Sequence, residues 1–435
     1  MSQNKMGFWS VVSVGIGGMV GGGIFAVLGL SVQLAQGGAP LAFAIAGIIA
    51  LLTTYSYAQL SVAFPSRGGT VMFLNKAYGT GLFTGGMNVL LWLSYIVMLS
   101  LYASAFGSYG ATFFPPSVQE LAKHGLISGI ILAVSALNLL SAELIGRAES
   151  WIVGFKLLIL GLFVAVGLPG IDLQQLQPQR WASPLAIVAG GMLIFVAYEG
   201  FELMANTAED VQRPEKTLPK AYYATVGFVI ALYVLIAAIT VGSLSVDDIV
   251  TANEYALAAA AKPFMGQFGF TLIAIAALLS TASAINATLY GTSRLSYIIA
   301  QSGELPAALE KKVWNQPIEG LLITSFLSLI MANVFDLSGI STMGSAGFLL
   351  IFAVVNFANV RLYKQTQSYR WISGLGAVAA IAAVVVLLSQ AARTQPQNLW
   401  IVTIMIAVAF GIEGLYRQVK GRSIHLRSEC HRHRP

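Results

Sequence analysis

Long apolar stretches separated by short polar segments recur along the whole chain. The first stretch has no charged residue between Lys5 and Arg67, and QGGAP at 36–40 divides it in two. One membrane-spanning helix needs about 20 apolar residues. The apolar runs and the Gly, Pro and charged residues between them predict about twelve spans, near 8–35, 39–63, 80–110, 126–143, 149–168, 183–209, 220–242, 267–299, 318–335, 339–363, 371–390 and 397–417. The segment 243–266 is too polar to span and is interpreted as a lid-like external loop.

Composition supports the same interpretation. The 435 residues are 57% hydrophobic and only 10% charged, whereas soluble domains carry roughly 25% charged residues. A signal peptide would be a single apolar block near the start, but here the apolar segments continue to the C-terminus. The chain is therefore expected to be an all-α polytopic protein whose surroundings are the lipid bilayer. Its one cysteine, Cys430, allows no internal disulfide.

The basic residues indicate the topology. An even number of spans puts both termini on one side, and most Lys and Arg residues of the loops lie on that side. The opposite side has only four: Lys123, Arg180, Lys262 and Arg393. By the positive-inside rule, both termini are predicted to be cytoplasmic, in the cell membrane. The net charge of +6 is thus interpreted as a topology signal, and no nucleic-acid partner is expected.

The sequence has no motif that predicts an enzyme. Neither H-E-x-x-H nor G-x-S-x-G occurs, and His124, the one histidine outside the tail, is placed in an external loop. The tail HLRSECHRHRP has Cys430 and three histidines, but no spacing that favours a metal site over a solvated basic tail. We expect no metal and no cofactor.

Three consecutive glycines interrupt the first span. Gly21, Gly22 and Gly23 lie in GMVGGGIFAVLG, and each glycine weakens a helix by about 1 kcal/mol relative to alanine. A broken helix leaves backbone groups unpaired, which a membrane tolerates only where the chain lines a cavity or is buried in protein. The triplet therefore predicts a binding site.

One basic residue lies inside a predicted span. Lys156 is in WIVGFKLLILGLF, which is otherwise uncharged. It could reach the cytoplasmic interface with its long side chain. The alternative is a functional role, because an ionisable group inside the membrane is costly unless it has a partner.

Two acidic residues lie inside the sixth span. Glu199 and Glu202 flank Gly200 in FVAYEGFELMAN. The span could end before them, leaving both in a cytoplasmic loop, but the apolar run from residue 183 then covers only about half the membrane. Buried carboxylates beside a second helix break are the favoured interpretation.

The two interruptions occupy corresponding places. Each lies in the first helix of a possible five-helix unit, and such pairs indicate the binding site of an inverted-repeat transporter. The predicted organisation is a first repeat at 1–168, an inverted repeat at 169–363, two further helices at 364–417 and a cytoplasmic tail at 418–435.

Four ordered blocks of sequence resemble the amino acid–polyamine–organocation transporters, in particular proton-coupled prokaryotic permeases with a lysine in helix 5. They are VGGGIFAVLG, YAQLSVAFPSRGGTVMFLNKAYG, FVAYEGFELMANTAEDVQRPEKTLPKA and STASAINATLYGTSRLSYIIAQSGELP. The resemblance implies the LeuT-type fold, with five-plus-five inverted repeats and helices 1 and 6 broken.

The resemblance also implies a substrate site for amino acids. The N–H groups of Gly22 and Gly23 would bind the substrate carboxylate at a helix N-terminus, and Gly21 would allow close approach. The carbonyls of Met19, Val196 and Glu199 would accept from the substrate ammonium. Relatives with serine at position 22 would have a hydroxyl donor that this chain lacks. Tyr102 and Phe201 would either line the side-chain pocket or simply pack.

For the ionisable residues the resemblance implies further roles. Lys156 resembles the helix-5 lysine whose ammonium replaces the sodium ion of other members, with partners expected among the carbonyls of Gly17 and Val20 and the hydroxyls of Ser280 and Ser283. It could cycle its proton, since desolvation favours the neutral form of a lysine, or remain a fixed charge. Glu199, if charged, would favour cationic substrates and, if protonated, small neutral ones. Glu202 is expected to have a gating or proton-sensing role.

The resulting prediction is a secondary active transporter of amino acids that works by alternating access, through proton symport. A sodium-independent amino acid or polyamine exchanger with Lys156 as a fixed charge stays open as an alternative. A channel or a non-transporting amino acid sensor is more distant, because no repeated filter sequence or ring of charge is present.

Overall fold

The computed structural model describes residues 5–140, 143–301 and 318–420, and in this part of the chain the regular structure is helical apart from two isolated β-bridges. The α-helices are α1 Phe8–Met19, α2 Gly23–Ala35, α3 Ala39–Ala63, α4 Gly69–Tyr78, α5 Leu82–Ala111, α6 Gln119–Leu140, α7 Glu143–Gly167, α8 Pro184–Leu193, α9 Pro214–Ser243, α10 Val246–Ala252, α11 Ala256–Gln301, α12 Ile318–Val334, α13 Leu337–Arg361, α14 Tyr363–Thr366, α15 Arg370–Thr394 and α16 Pro396–Lys420. Shorter 3₁₀ helices are Pro116–Val118, Leu168–Gly170, Pro178–Arg180, Phe195–Tyr198, Phe201–Asp210 and Asn253–Tyr255.

The helices confirm the predicted class of fold. Nine helices of the described residues are long and apolar enough to cross a membrane. Two bent pairs add a span each: α1 with α2, which meet at 49°, and α8 with the 3₁₀ segment that follows it, which meet at 52°. Together with the shorter apolar helix α12, they correspond to the twelve predicted spans. The chain is a multi-pass membrane protein.

Most predicted spans agree with the observed boundaries to within a few residues. The helices of the fifth and seventh spans begin six residues earlier than predicted, at Glu143 and Pro214, and the fourth span is also displaced. It was expected at 126–143, whereas α6 begins at Gln119. The first two turns, QELAKHG, are polar and still helical, because their side chains find partners at the membrane edge. The ammonium of Lys123 bonds Glu254, and His124, which was expected in a loop, bonds Asn333.

The predicted loop 243–266 is also more ordered than expected. It contains α10, the 3₁₀ turn Asn253–Tyr255 and the first turns of α11. The Ser245 side chain caps α10 by accepting from the N–H of Asp248. The chain changes direction at Gly266. Its φ of 63° is a backbone conformation that glycine adopts much more readily than other residues. The apolar part of α11 follows that break.

Burial separates central from peripheral helices. The most apolar stretches of α5 and α13 are 83% buried within the protein, whereas those of α6 and α16 are 22% buried. The exposed apolar side chains of the peripheral helices therefore face lipid. Both bent pairs lie among the central helices, since Val20, Ile24, Phe195 and Phe201 are almost fully buried. The repeat boundaries and the tail organisation stay predictions, and residues 421–435 lie outside the described part.

Candidate functional site

The first helix break is held by hydroxyl groups of two other helices. α1 ends at Met19, and α2 begins at Gly23. The Met19 carbonyl accepts from the Tyr233 hydroxyl at 2.7 Å, and the Gly21 carbonyl accepts from Ser280 at 2.7 Å. Ser280 is also 3.5 Å from the Val20 carbonyl. The unwound carbonyls are thus satisfied, as buried backbone groups must be.

Lys156 reaches the same break from α7. Its ammonium donates to the carbonyl of Gly17 at 3.2 Å, and the side chain is 1% exposed. It therefore points into the protein and not along the surface. Of the other expected partners, Val20 and Ser280 contact each other, and Ser283 is half-buried one turn further along α11.

The second break touches the first. α8 ends at Leu193, the 3₁₀ helix Phe195–Tyr198 follows, and Gly200 has a φ of 110°. A Cβ atom on Gly200 would lie 2.5 Å from the carbonyl carbon of Gly18 and 2.7 Å from the nitrogen of Met19. Only glycine allows this conformation and this approach.

Both glutamates are buried beside the second break. Glu202 is 2% exposed and accepts from the Tyr95 hydroxyl and from the N–H of Gly200, each at 2.8 Å. Glu199 is 4% exposed and accepts a longer bond, 3.4 Å, from the Tyr102 hydroxyl. Neither carboxylate lies in an exposed loop. Glu202 has a donor on each oxygen, whereas Glu199 is held more weakly.

The N-terminus of α2 is closely covered. A Cβ on Gly22 would collide with the ring of Tyr102 and lie 2.9 Å from the methyl group of Thr281. A Cβ on Gly23 would lie 2.9 Å from the Cα of Ala197. The space that serine would need at position 22 is therefore filled by Tyr102. The first N–H groups of α2 have no partner within their own helix, so this end attracts an anion.

A cavity lies next to the two breaks, and the space there that protein atoms do not fill, open solvent included, is about 650 Å³. It extends to the start of α4 and toward the end of α11, the side on which the N-terminus lies. Its walls are Gly17, Gly18, Gly68, Thr70, Leu91, Tyr95, Tyr102, Glu199, Glu202, Leu203, Asn206, Ala284, Ala287, Thr288, Gly291, Thr292 and Leu295.

The cavity brings together some of the predicted site residues and not others. Gly17, Tyr102, Glu199 and Glu202 line it, whereas Met19, Gly21, Gly22, Gly23 and Val196 are not among its walls. Phe201 instead packs between the rings of Tyr57 and Phe352, with centroids 5.5 Å and 5.2 Å away.

Two carbonyls that were assigned to the substrate ammonium already have partners. The Val196 carbonyl accepts from the N–H of Glu199 at 3.3 Å, and the Met19 carbonyl accepts from Tyr233. Each retains one lone pair. The Glu199 carboxylate, by contrast, lines the cavity and accepts only a long bond from the Tyr102 hydroxyl, beside Glu202, so it is the better-placed acceptor for an ammonium group.

Sequence reasoning missed one wall of the cavity. Six lining residues of α11 follow one another at alternating intervals of three and one positions and therefore form a single helix face: Ala284, Ala287, Thr288, Gly291, Thr292 and Leu295. This face is readable in the sequence as small and hydroxyl residues at helical spacing. Tyr95 and Asn206, in contrast, gave no such signal.

The site consists of two bent spans, a cavity beside them and buried ionisable groups. These features are those of a membrane transport protein with two discontinuous helices. The chain matches the amino acid permease family over residues 6–410 and belongs to that family.

Several individual proteins are similar in sequence to this chain over most of its length. An uncharacterized protein of Methanocaldococcus jannaschii is 34% identical over 427 residues, covering 97% of this chain and 98% of its own length. The inner membrane transport protein YbaT of Escherichia coli is 33% identical over 83% of this chain and 84% of its own length. The branched-chain amino acid permease BcaP of Bacillus subtilis is 23% identical over 83% of this chain and 82% of its own length.

A solved structure shares the fold. A mutant of the Eremococcus coleocola manganese transporter superimposes with a TM-score of 0.64 at 13% identity, covering 95% of this chain and 97% of its own. At that identity the likeness concerns the fold alone.

Proposed function

We propose that this chain is a secondary active transporter that carries amino acids by alternating access and couples their uptake to protons through Lys156. The observation that carries this proposal is the Lys156 ammonium, buried against the Gly17 carbonyl at 3.2 Å. Gly17 itself lines the cavity. A titratable group thus contacts the broken helix that would also form the binding site.

The substrate would lie between the two breaks. Its carboxylate would take the N–H groups of Gly22 and Gly23 at the start of α2, where the partial positive charge of the helix end favours an anion. Its ammonium would take the Glu199 side chain, with the carbonyls of Met19 and Val196 contributing their second lone pairs. Tyr102 covers Gly22 and bonds Glu199, so it would contact both ends of the amino acid backbone.

Lys156 would couple the proton by acting on one half of the first break. A charged ammonium strengthens the hydrogen bond to Gly17, because charge-assisted bonds are roughly twice as strong as neutral ones. Loss of the proton weakens that bond on the α1 side, whereas Ser280 still holds Gly21 on the α2 side. α1 would then be free to move relative to α2.

Glu202 fits a gating role. Its carboxylate joins Tyr95 of α5 to the N–H of Gly200 in the second break. Protonation of Glu202 would remove an acceptor from one of these bonds and loosen the break from α5. The same residue could therefore sense protons that reach the cavity.

The remaining organisation follows the same proposal. Residues 1–168 and 169–363 would form inverted repeats, each beginning with a broken helix. Both termini would be cytoplasmic in the cell membrane, which makes the observed cavity an inward-facing one.

The test is uptake of labelled amino acids into proteoliposomes, with and without an inward proton gradient, for the wild type, Lys156→Arg and Lys156→Met. Arginine keeps the charge but does not release its proton in proteins. We expect wild type to accumulate substrate under the gradient. Lys156→Arg should retain exchange between preloaded vesicles and lose gradient-driven accumulation, and Lys156→Met should lose both.

Other results have definite meanings. Wild type that moves substrate only into preloaded vesicles is an exchanger, with Lys156 as a fixed charge. Accumulation by Lys156→Arg at the wild-type level contradicts proton cycling at this residue. Flux without saturation or counterflow indicates a channel, and saturable binding without any flux indicates a sensor.

A further inference from the structure

Two serines of α13 hold the second helix break. The Leu193 carbonyl, at the end of α8, accepts from the hydroxyl of Ser341 at 2.6 Å and from that of Ser345 at 2.9 Å. Ser345 also accepts from the N–H of Val196 at 3.0 Å. Both serines are completely buried. Ser345 thus bonds the backbone on both sides of the point at which α8 ends.

The packing around these serines brings α13 close to the backbone of the second break. Gly344 lies between them in sequence, and a Cβ there would be 2.8 Å from a methyl group of Val196. The glycine therefore allows the unwound segment to lie directly against α13. Serines four residues apart on one helix face, with a glycine next to the second, form a cradle for Leu193–Val196.

The arrangement corresponds to that of Lys156 at the first break. Lys156 lies in the fifth predicted span and bonds Gly17, in the half-helix before the first break. Ser341 and Ser345 lie in the tenth span, the fifth of the second unit, and bond Leu193 at the end of the half-helix before the second break. In each unit the last helix donates to a carbonyl of the first, although the donors are a titratable amine in one and neutral hydroxyls in the other.

We propose that Ser341 and Ser345 are positioning residues that hold the second break, and through it Glu199, in the geometry that binds substrate. The link to Glu199 is short, because its N–H donates to the carbonyl of Val196. This inference rests on the proposed function. Since serine hydroxyls do not titrate in the physiological range, the hydrogen bonds from Ser341 and Ser345 do not change with pH, and protons act on the second break only through its carboxylates, Glu199 and Glu202.

The experiment compares Ser345→Ala and Ser341→Ala/Ser345→Ala with Ser345→Thr, which keeps a hydroxyl. Thr342→Val is the matched control, because the Thr342 hydroxyl is buried on the same helix but bonds only the Ser338 carbonyl of its own helix. Two readouts are needed: amide hydrogen exchange of residues 194–200 in the purified protein, and the kinetics of amino acid uptake as a function of pH.

We expect faster exchange in 194–200 for the alanine variants, with residues 19–23 unaffected. A buried donor that loses its acceptor costs enough that KM should rise about tenfold in the double variant. The maximal rate should stay within about twofold, and the pH profile of uptake should keep its wild-type midpoint. Ser345→Thr and Thr342→Val should match the wild type in both readouts.

Several outcomes overturn the inference: unchanged exchange in the double variant, an equal effect of Thr342→Val, faster exchange with an unchanged KM, or a shifted pH midpoint. The exchange readout does not depend on transport. If the wild type carries no amino acid, the proposed function fails, and the exchange data still decide whether the serines hold the break.

Discussion

At the residue scale, the site depends on glycines that leave room for particular neighbours. The ring of Tyr102 occupies the space beside Gly22, and the backbone of Gly18 occupies the space beside Gly200. The sequence showed the glycines and their helix-breaking tendency. It did not show what fills the space beside them, because Tyr102 and Gly22 lie on different helices. What looked like a missing hydroxyl donor at position 22 is a position without room for any side chain.

Replacing Gly200 by alanine should destabilise the protein. The new Cβ would meet the backbone of Gly18 and Met19, and alanine would be strained at a φ of 110°. Such backbone strain costs roughly 1–3 kcal/mol, so the apparent melting temperature in detergent should fall by several degrees. Gly161→Ala is the control, because nothing lies within 4 Å of its added Cβ. It should leave the melting temperature equal or higher, and equal losses in the two variants would contradict the account.

At the element scale, two ion pairs join segments at opposite ends of the molecule. On the side away from the termini, Lys123 of α6 bonds Glu254 at 2.7 Å, with side chains 22% and 26% exposed. Ser108 of α5 donates to the same carboxylate at 2.6 Å. The backbone of the neighbouring Asn253 lies against Gly29 of α2. The turn Asn253–Tyr255 therefore contacts α2, α5 and α6, and these contacts cover the side of the protein away from the termini.

The pair on the other side is weaker. Arg67 lies 3.7 Å from Glu209 and 3.5 Å from Asp210, and its side chain is 65% exposed. Pairs this open to solvent contribute little. The ion pair on the side of the termini is thus longer and more exposed than the pair on the opposite side. This is consistent with a cavity that opens toward the termini and is closed on the opposite side.

Breaking the Lys123–Glu254 pair should loosen the segment 246–255. A partly buried pair contributes about 1 kcal/mol or more, so Glu254→Lys and Lys123→Glu should each speed amide exchange of 246–255 about fivefold or more. The exchanged pair, Lys123→Glu/Glu254→Lys, should restore most of the protection, and Arg67→Gln should leave this segment unaffected. A double variant that is no better protected than the single ones would rule out a specific ion pair.

The elements themselves were largely predictable. Span 39–63 coincides with α3, because an apolar run bounded by glycine and proline has no better structure in lipid than a helix. Polar segments were less predictable. QELAKHG and 246–255 are helical because their side chains bond neighbouring helices, and a single-sequence pattern does not contain those contacts.

At the scale of the whole molecule, the two bent pairs cross at the contact of Gly18 with Gly200, beside one cavity. The sequence predicted both breaks and favoured the burial of Glu199 and Glu202, whereas it left open whether Lys156 points inward or toward the cytoplasmic interface. It could not give the contacts between distant helices, such as Tyr233 with Met19 or Ser345 with Leu193, which are 214 and 152 residues apart. Phe201 illustrates the limit, because helical spacing alone does not separate a pocket wall from packing against Tyr57 and Phe352.

In the proposed mechanism, amino acid and proton move together, and Lys156 carries the coupling. The most direct measurement is the internal pH of proteoliposomes containing a trapped pH-sensitive dye, recorded while amino acid is added outside without a preset gradient. Proton symport through Lys156 predicts internal acidification that accompanies uptake in the wild type and disappears in Lys156→Arg. Uptake by the wild type with no change of internal pH, or equal acidification by Lys156→Arg, would contradict it.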